Sequence, residues 1–238
     1  MRKKECVNNC KLFLLSSCLS MCYWWICNND LLDLSPNYEL YRQMNASIYG
    51  YSSLQSYFLI YLLPFVILLY VLMSKEKDYY IMRFNSRRKI VFKRMTELMR
   101  AVAIIFIPHF IVNIIGITIF LKFNNLCQLN YYFYELLQFI VVILLFYTIG
   151  LIYMYLSDYI KKEISNFVIS LGCVVYYFFN RIFIHYAFMR ELCVKDLLII
   201  NSISNIEIII GVLKYLLVIF ILLKMMNLKI KEKDIYEK

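Results

Sequence analysis

Residues 78–94, DYYIMRFNSRRKIVFKR, carry the densest positive charge in the chain and lie between two apolar runs, 57–74 and 101–121. Each run is long enough, or nearly so, to cross about 30 Å of hydrocarbon as a helix. The charge between them resists translocation. From Lys75 to Arg100 there are nine Lys or Arg residues against three acids, Glu76, Asp78 and Glu97. Two spans joined by a segment held on one side of a bilayer set the pattern for the rest of the chain.

Composition agrees with that pattern. The 238 residues are 62% hydrophobic and 18% aromatic, whereas soluble domains are nearer half apolar. A single globule has too little polar surface to cover so much apolar material, and a bilayer accepts it. The net charge of +10 would suggest nucleic acid if it formed a patch on a soluble domain. Here the basic residues cluster in short segments beside apolar runs, as topology signals do. No nucleic-acid partner is expected; membrane lipid is. The expected fold is an all-α, polytopic membrane protein forming one domain over residues 1–238.

Six runs carry this expectation: 11–28, 57–74, 101–121, 134–156, 164–186 and 206–226. Lys11, Ser16, Ser17 and Ser20 dilute the first. Leu15-Ser16-Ser17-Cys18 has some likeness to a lipoprotein cleavage box, but few apolar residues precede it and the run continues through Trp24, Trp25 and Ile26. An uncleaved span is expected. With the N-terminus inside, twenty Lys and Arg residues fall in inner segments and four, Arg42, Lys122, Arg190 and Lys195, in outer ones. That asymmetry predicts six transmembrane helices with both termini cytoplasmic.

The outer loop from Asn28 to about Ser56 carries Asp30, Asp33 and Glu39, with turn signals at Ser35-Pro36-Asn37 and at Gly50. Asn45-Ala46-Ser47 fits a glycosylation sequon, a triplet that also arises by chance. Cys6, Cys10, Cys18, Cys22 and Cys27 crowd the N-terminus, and Cys127, Cys173 and Cys193 are scattered. With only His109 and His185 and no CxxC pair, the ligand spacing of a zinc site is missing. No metal is expected, and the cysteines read as small buried hydrophobes.

Within the basic segment, Asn85-Ser86 suits a helix N-cap. From there Val91, Met95, Leu98 and Met99 share one helical side, and Arg87, Lys93, Arg94 and Glu97 fall largely elsewhere. Just before it, Tyr79, Tyr80, Ile81, Met82 and Phe84 make an apolar, aromatic patch framed by charge that includes Arg83. Two readings stand side by side: an interfacial aromatic belt with snorkelling cations, and a small surface that docks into a groove on another protein.

The stretch YYIMRFNSRRK, following the second span, resembles the membrane subunits of bacterial two-component ABC exporters. It is similar in particular to the short six-span permeases associated with bacteriocin or toxic-peptide export and self-immunity. The resemblance covers topology along most of the chain and particular residues over about 79–94. It implies a permease in a bacterial cell membrane, with segment 75–100 as the coupling loop seated on a separate ATPase through Tyr79, Tyr80, Arg83, Phe84, Arg87 and Arg88. The implied partners are an ABC ATPase, a second permease copy or homologous permease, and a peptide or amphiphile cargo. ATP and Mg belong to the ATPase, and this chain carries no cofactor. Segment 187–205 lies where such permeases have an outer helical hairpin. The brief N-terminus departs from the pattern, leaving little room for an interfacial helix before span one. The chain has no GxxxxGK[ST] loop, so it is not expected to hydrolyse ATP by itself.

Polar residues inside the runs are the other candidates. Arg181 lies toward the outer end of span five and Glu207 at that of span six, where they could pair as an outer gate or snorkel separately. A central Arg costs about 2.5–3.5 kcal/mol, and each Ile, Leu, Phe or Val returns about 0.3–0.6; the twelve such residues of Ile164–Tyr186 offset it. Lys214 lies nearer mid-span, where it either lines a path, pairs with a partner or marks a misplaced boundary. His109 follows Pro108, with Asn113 one turn on; local hydrogen bonding in a loosened helix and proton transfer are both open.

Two other functions compete with transport. His185 and Cys193 could form a peptidase pair but lack a third orienting group, and HExxH and GxSxG are absent. A non-transporting immunity or sensor protein that binds a toxic peptide would have the same composition.

Overall fold

A computed structural model describes residues 2–32, 40, 43–44, 50–74, 87–120, 126–127, 130–182 and 205–236. They form six helices. α1 is Arg2–Asn28, followed by a short 3-10 turn at Asn29–Leu31. A π-turn at Ser56–Tyr61 leads into α2, Leu62–Ser74. α3 is Arg87–Phe120, α4 Tyr131–Ser157, α5 Lys162–Ile182 and α6 Asn205–Tyr236. Among the described residues no strand is present.

Five segments are long and apolar enough to cross a membrane: Asn8–Leu31, Ser56–Met73, Val91–Phe120, Tyr131–Ser157 and Ile208–Leu228. The expected span 164–186 is helical in α5, but Ser165, Asn166, Ser170, Asn180 and Arg181 dilute it, and 183–186 lie outside the described residues. Six spans are therefore not established; five candidate spans are.

Helix direction follows from the contacts. Ser16 of α1 lies by Ile105 of α3, and Trp24 stacks on Phe120, so α1 and α3 run parallel. Tyr57 and Phe65 face His109 and Phe106, so α2 is antiparallel to α3. Asn113, Phe106 and Arg94 of α3 meet Glu135, Phe146 and Asp158 of α4 in that order, again antiparallel. Glu163 lies by Tyr70, and Tyr177 by Phe58, so α5 reverses against α2. Each connection up to α5 turns the chain back, as alternating membrane crossings require.

α2, α3 and α4 make the centre, with Phe65, Phe106, Leu69, Val102, Leu145 and Phe146 buried among them. α1 packs on α3, α5 on α2 and α4, and α6 on α4 and α3. Two of the three serines that dilute the first run, Ser16 and Ser20, turn out to lie on its packing face. Ser16, Ser20, Trp24 and Asn28, spaced by four, are buried, while Leu14, Leu15, Trp25 and Ile26 point outward. In lipid the usual rule inverts: small and polar residues let helix backbones approach, and large apolar ones face the tails. Gly116 leaves the space that the Trp24 indole fills, and Gly150 does the same for Leu98.

Two prolines shape local structure. Pro64 has no N–H for the carbonyl of Ile60, and its ring crowds that oxygen. The wider π-turn at Ser56–Tyr61 comes just before it and makes room. Pro108 likewise deprives the carbonyl of Ile104 inside α3.

α3 is longer than a bilayer needs. Its 34 residues extend about 51 Å, some 20 Å more than the roughly 30 Å hydrocarbon core. The basic segment from Arg87 is thus continuous with the third span. Two face assignments change: Arg94 lies on the inner side of this extension, with Val91 and Leu98, and Met99 is exposed. The cause of the first is Asp158 at the end of α4, whose two carboxylate oxygens accept from Arg94 Nη1 at 3.0 and 3.1 Å. Beside this pair, Lys162 Nζ donates to the Met73 carbonyl at 2.8 Å and closes the end of α2.

Candidate functional site

Most of the other buried polar side chains among the described residues gather toward the opposite end of the bundle, around one stripe of α3; Thr148 and Ser165 lie apart from them. His109 is 4% exposed. Its ring stacks on Tyr51 with centroids 4.3 Å apart and planes 14° from parallel. The rings of Tyr61 and Tyr57 stand steeply inclined to it, with centroids 4.6 and 5.5 Å away, and Phe106 of the same helix completes the aromatic box. Aromatic faces around an imidazole provide an electron-rich surface that favours a cation or a polar hydrogen at its centre.

One turn on, Asn113 Nδ2 donates to Glu135 Oε1 at 3.1 Å and to Ser52 Oγ at 3.4 Å. Glu135 is only 2% exposed, as is Gln138 one turn further along α4. The fully buried Tyr57 places its hydroxyl toward Gln138 and Ser52. A carboxyl group enclosed in a membrane bundle is costly and calls for a hydrogen-bonded setting, and the amide of Asn113 supplies part of it.

Backbone carbonyls of α3 join the network. Those of Ile105, His109 and Asn113, four residues apart, accept hydroxyls from Ser16 of α1 at 3.4 Å, Tyr51 at 3.2 Å and Tyr131 of α4 at 3.5 Å. These bonds are long and individually weak, but all fall on one face of the helix. Tyr61 then links Tyr51, at 3.3 Å, to Ser20 of α1, at 3.4 Å.

The segment before α2 closes the site. Gly50, Tyr51, Ser52 and Ser53 are all buried. Ser53 Oγ accepts from the Ser56 N–H at 3.2 Å, an N-cap arrangement. Ser56 Oγ donates to the Gly50 carbonyl at 2.9 Å and lies 2.6 Å from the Tyr23 hydroxyl. Above Tyr51, an apolar cluster of Trp24, Leu40, Met44, Ile117, Leu126 and Tyr131 forms a roof.

Of the residues expected from sequence, His109 and Asn113 are brought together here. Lys214 is exposed on α6 and is not part of this cluster. Arg181 and Glu207 fall within α5 and α6, but their side chains are outside what is described. Arg87 and Arg88 open α3, with side chains likewise undescribed, and Tyr79, Tyr80, Arg83, Phe84 and segment 187–204 lie outside the described residues. Sequence reasoning missed Glu135, Gln138, Tyr51, Ser52 and Tyr57. Glu135 left a signal, being the only acid in the run 134–156; the tyrosines did not stand out in a chain with 22 of them.

Among the described residues no group of three or more His, Cys, Asp or Glu side chains converges on a point that could hold a metal ion. What the arrangement offers instead is a set of hydroxyl, amide and carboxyl groups walled by aromatic rings, suited to a polar or cationic group on an otherwise apolar molecule. No family model matches the chain, and neither a curated protein nor a solved structure matches it.

Proposed function

We propose that this chain is the membrane subunit of an ATP-driven exporter or immunity transporter, with a separate ABC ATPase seated on the basic segment 75–100. The observation that carries this reading is the continuity of α3. One unbroken helix runs from Arg87, in that segment, to Asn113 in the buried polar centre. A force applied at Arg87 would therefore reach the Asn113–Glu135 contact along a single helix, with Pro108 the point at which that helix is loosened. The Arg94–Asp158 pair ties the same helix to α4, so α3 and α4 would tilt together.

Charge distribution supports the orientation. Direction alternates from α1 to α5, which places the ends near Lys11, Arg94 and Lys162 on one side and those near Asn28, Asn113 and Asn130 on the other. The Lys- and Arg-rich side is the cytoplasmic one by the positive-inside rule. ATP and Mg would be held entirely by the partner. A peptide or amphiphile would meet Glu135, Gln138 and Tyr57 on its way through, its apolar part against the aromatic walls, in a path shared with a second permease chain.

Co-purification from native membranes tests the proposal. The intact chain should bring down a protein that hydrolyses ATP, and reversing the charge at Arg83, Arg87 and Arg88 together should abolish that association while the chain remains inserted. Binding of a toxic peptide with no ATPase present would instead favour an immunity or sensor role, and peptide cleavage lost in Cys193→Ser would favour a peptidase.

A further inference from the structure

We infer that residues 50–53 form a retractable plug, and that Tyr51 is the latch keeping water from the Asn113–Glu135 centre. Backbone outside regular helix is rare at membrane depth, where it persists only if protein encloses it or it lines a water-filled space. Gly50 to Ser53 is such a segment, and every residue of it is buried.

The plug fills a recess left by unequal helix lengths. Tyr57 lies level with His109, so Leu54, where the helical turns leading into α2 begin, falls near residue 112 of the antiparallel α3. α3 continues to Phe120, about eight residues or 12 Å further. The plug occupies that gap among α1, α2, α3 and α4.

What holds it is a set of separate contacts with no ladder or helix to unzip. The Tyr51 ring lies on His109 and its hydroxyl on the His109 carbonyl. Ser52 meets Asn113, and the Gly50 carbonyl meets Ser56. Among the described residues its backbone ties include Tyr51 N–H to the Met44 carbonyl at 3.0 Å, Ser53 N–H to the Gly50 carbonyl at 3.1 Å and, into the π-turn, Tyr57 N–H to the Ser53 carbonyl at 3.2 Å. Both flanks can bend. Gly50 is itself the first residue of the plug, and beyond its other end comes the π-turn Ser56–Tyr61, a form of helix that concentrates at functional positions. Withdrawal of Tyr51 would uncover Ser52, Tyr57, Asn113, Glu135 and Gln138 together. The plug does not depend on what, if anything, the bundle transports.

The test is the reactivity of a single cysteine, Gln138→Cys, in the full-length chain with its native cysteines replaced, held in lipid nanodiscs so that a charged maleimide reaches both faces. With Tyr51 intact, labelling is slow. Tyr51→Ala should raise the rate at least about tenfold, because labelling follows the open fraction, and Tyr51→Phe, which keeps the ring, should fall between. A control cysteine at Phe146, in the core, should stay unreactive throughout. An unchanged rate at position 138 in Tyr51→Ala overturns the inference. If Tyr51→Ala exposes both positions, the bundle has opened as a whole and Tyr51→Phe decides: faster labelling at 138 alone supports the plug, and an unchanged rate overturns it.

Discussion

Asn113 and Glu135 meet inside the bundle, the amide of one 3.1 Å from the carboxyl of the other, across the interface of α3 and α4. Neither residue has an apolar reason to be there. Removing one side of the contact leaves the other buried with less to bond, which costs about 1–3 kcal/mol for a neutral group and more for a charge. Asn113→Ala should therefore destabilise the fold by at least about 1 kcal/mol. A double-mutant cycle with Glu135→Ala should return a coupling of about 0.6 kcal/mol or more, the usual worth of an interhelical bond in a membrane protein. Reversible unfolding in mixed micelles measures both.

The Arg94–Asp158 pair makes a second, separable prediction. Both side chains are 12% exposed, so each ion relies on the other for much of its lost solvation. Arg94→Ala and Asp158→Ala should each cost about 1–3 kcal/mol, and the exchanged pair Arg94→Asp with Asp158→Arg should recover part of the loss in the same unfolding assay. Equal stability of all four proteins would remove the link between α3 and α4.

The glycines separate by what surrounds them. A methyl group at Gly116 would run into the rigid indole of Trp24, one at Gly150 into the end of the Leu98 side chain, and one at Gly172 into nothing within 4 Å. Gly116→Ala should thus cost about 1–3 kcal/mol through overpacking, relieved by Trp24→Leu. Gly150→Ala should cost less, because Leu98 can change rotamer. Gly172→Ala should stabilise by about 0.5–1 kcal/mol through its helix preference. Thermal melting of the three variants ranks them.

At the charged end of the bundle, Glu163 opens α5 and is exposed to solvent. Its carboxyl is held below the ordinary glutamate value first by its own backbone N–H and then by the Tyr70 hydroxyl, which donates at 3.1 Å. A folded-state value below the unfolded one means that this contact stabilises above the ordinary value near 4.5 and is lost as pH falls through the lowered one. Carboxyl titration by NMR should show Glu163 below the other glutamates, and Tyr70→Phe should move it part of the way back up.

Much of the helical architecture was legible in the sequence because apolar run length reports on the bilayer directly. Five of the expected runs coincide with candidate spans, and the N-cap expected at Asn85-Ser86 lies outside the described residues. Packing was harder to read. Ser16 and Ser20 looked like dilution because apolar content carries no sign for which face meets protein, and in lipid the polar face is the one that packs. Arg94 seemed solvent-facing because its partner, Asp158, is 64 residues away. His109 and Asn113 stood out as polar residues in a span. Glu135 sits one turn inside α4, where an acid is easily read as interfacial, and Tyr51 lies in a loop whose burial depends on α2 starting low in the bundle.

The most direct test of the account is a photo-crosslinking residue placed at Arg87 in intact source cells, with the captured product probed by an azido-ATP label. The account requires a crosslinked partner that binds ATP, with crosslinking altered when vanadate traps the nucleotide. A position 87 that a membrane-impermeant reagent reaches from outside the cell, or that never captures an ATP-binding chain, would contradict it.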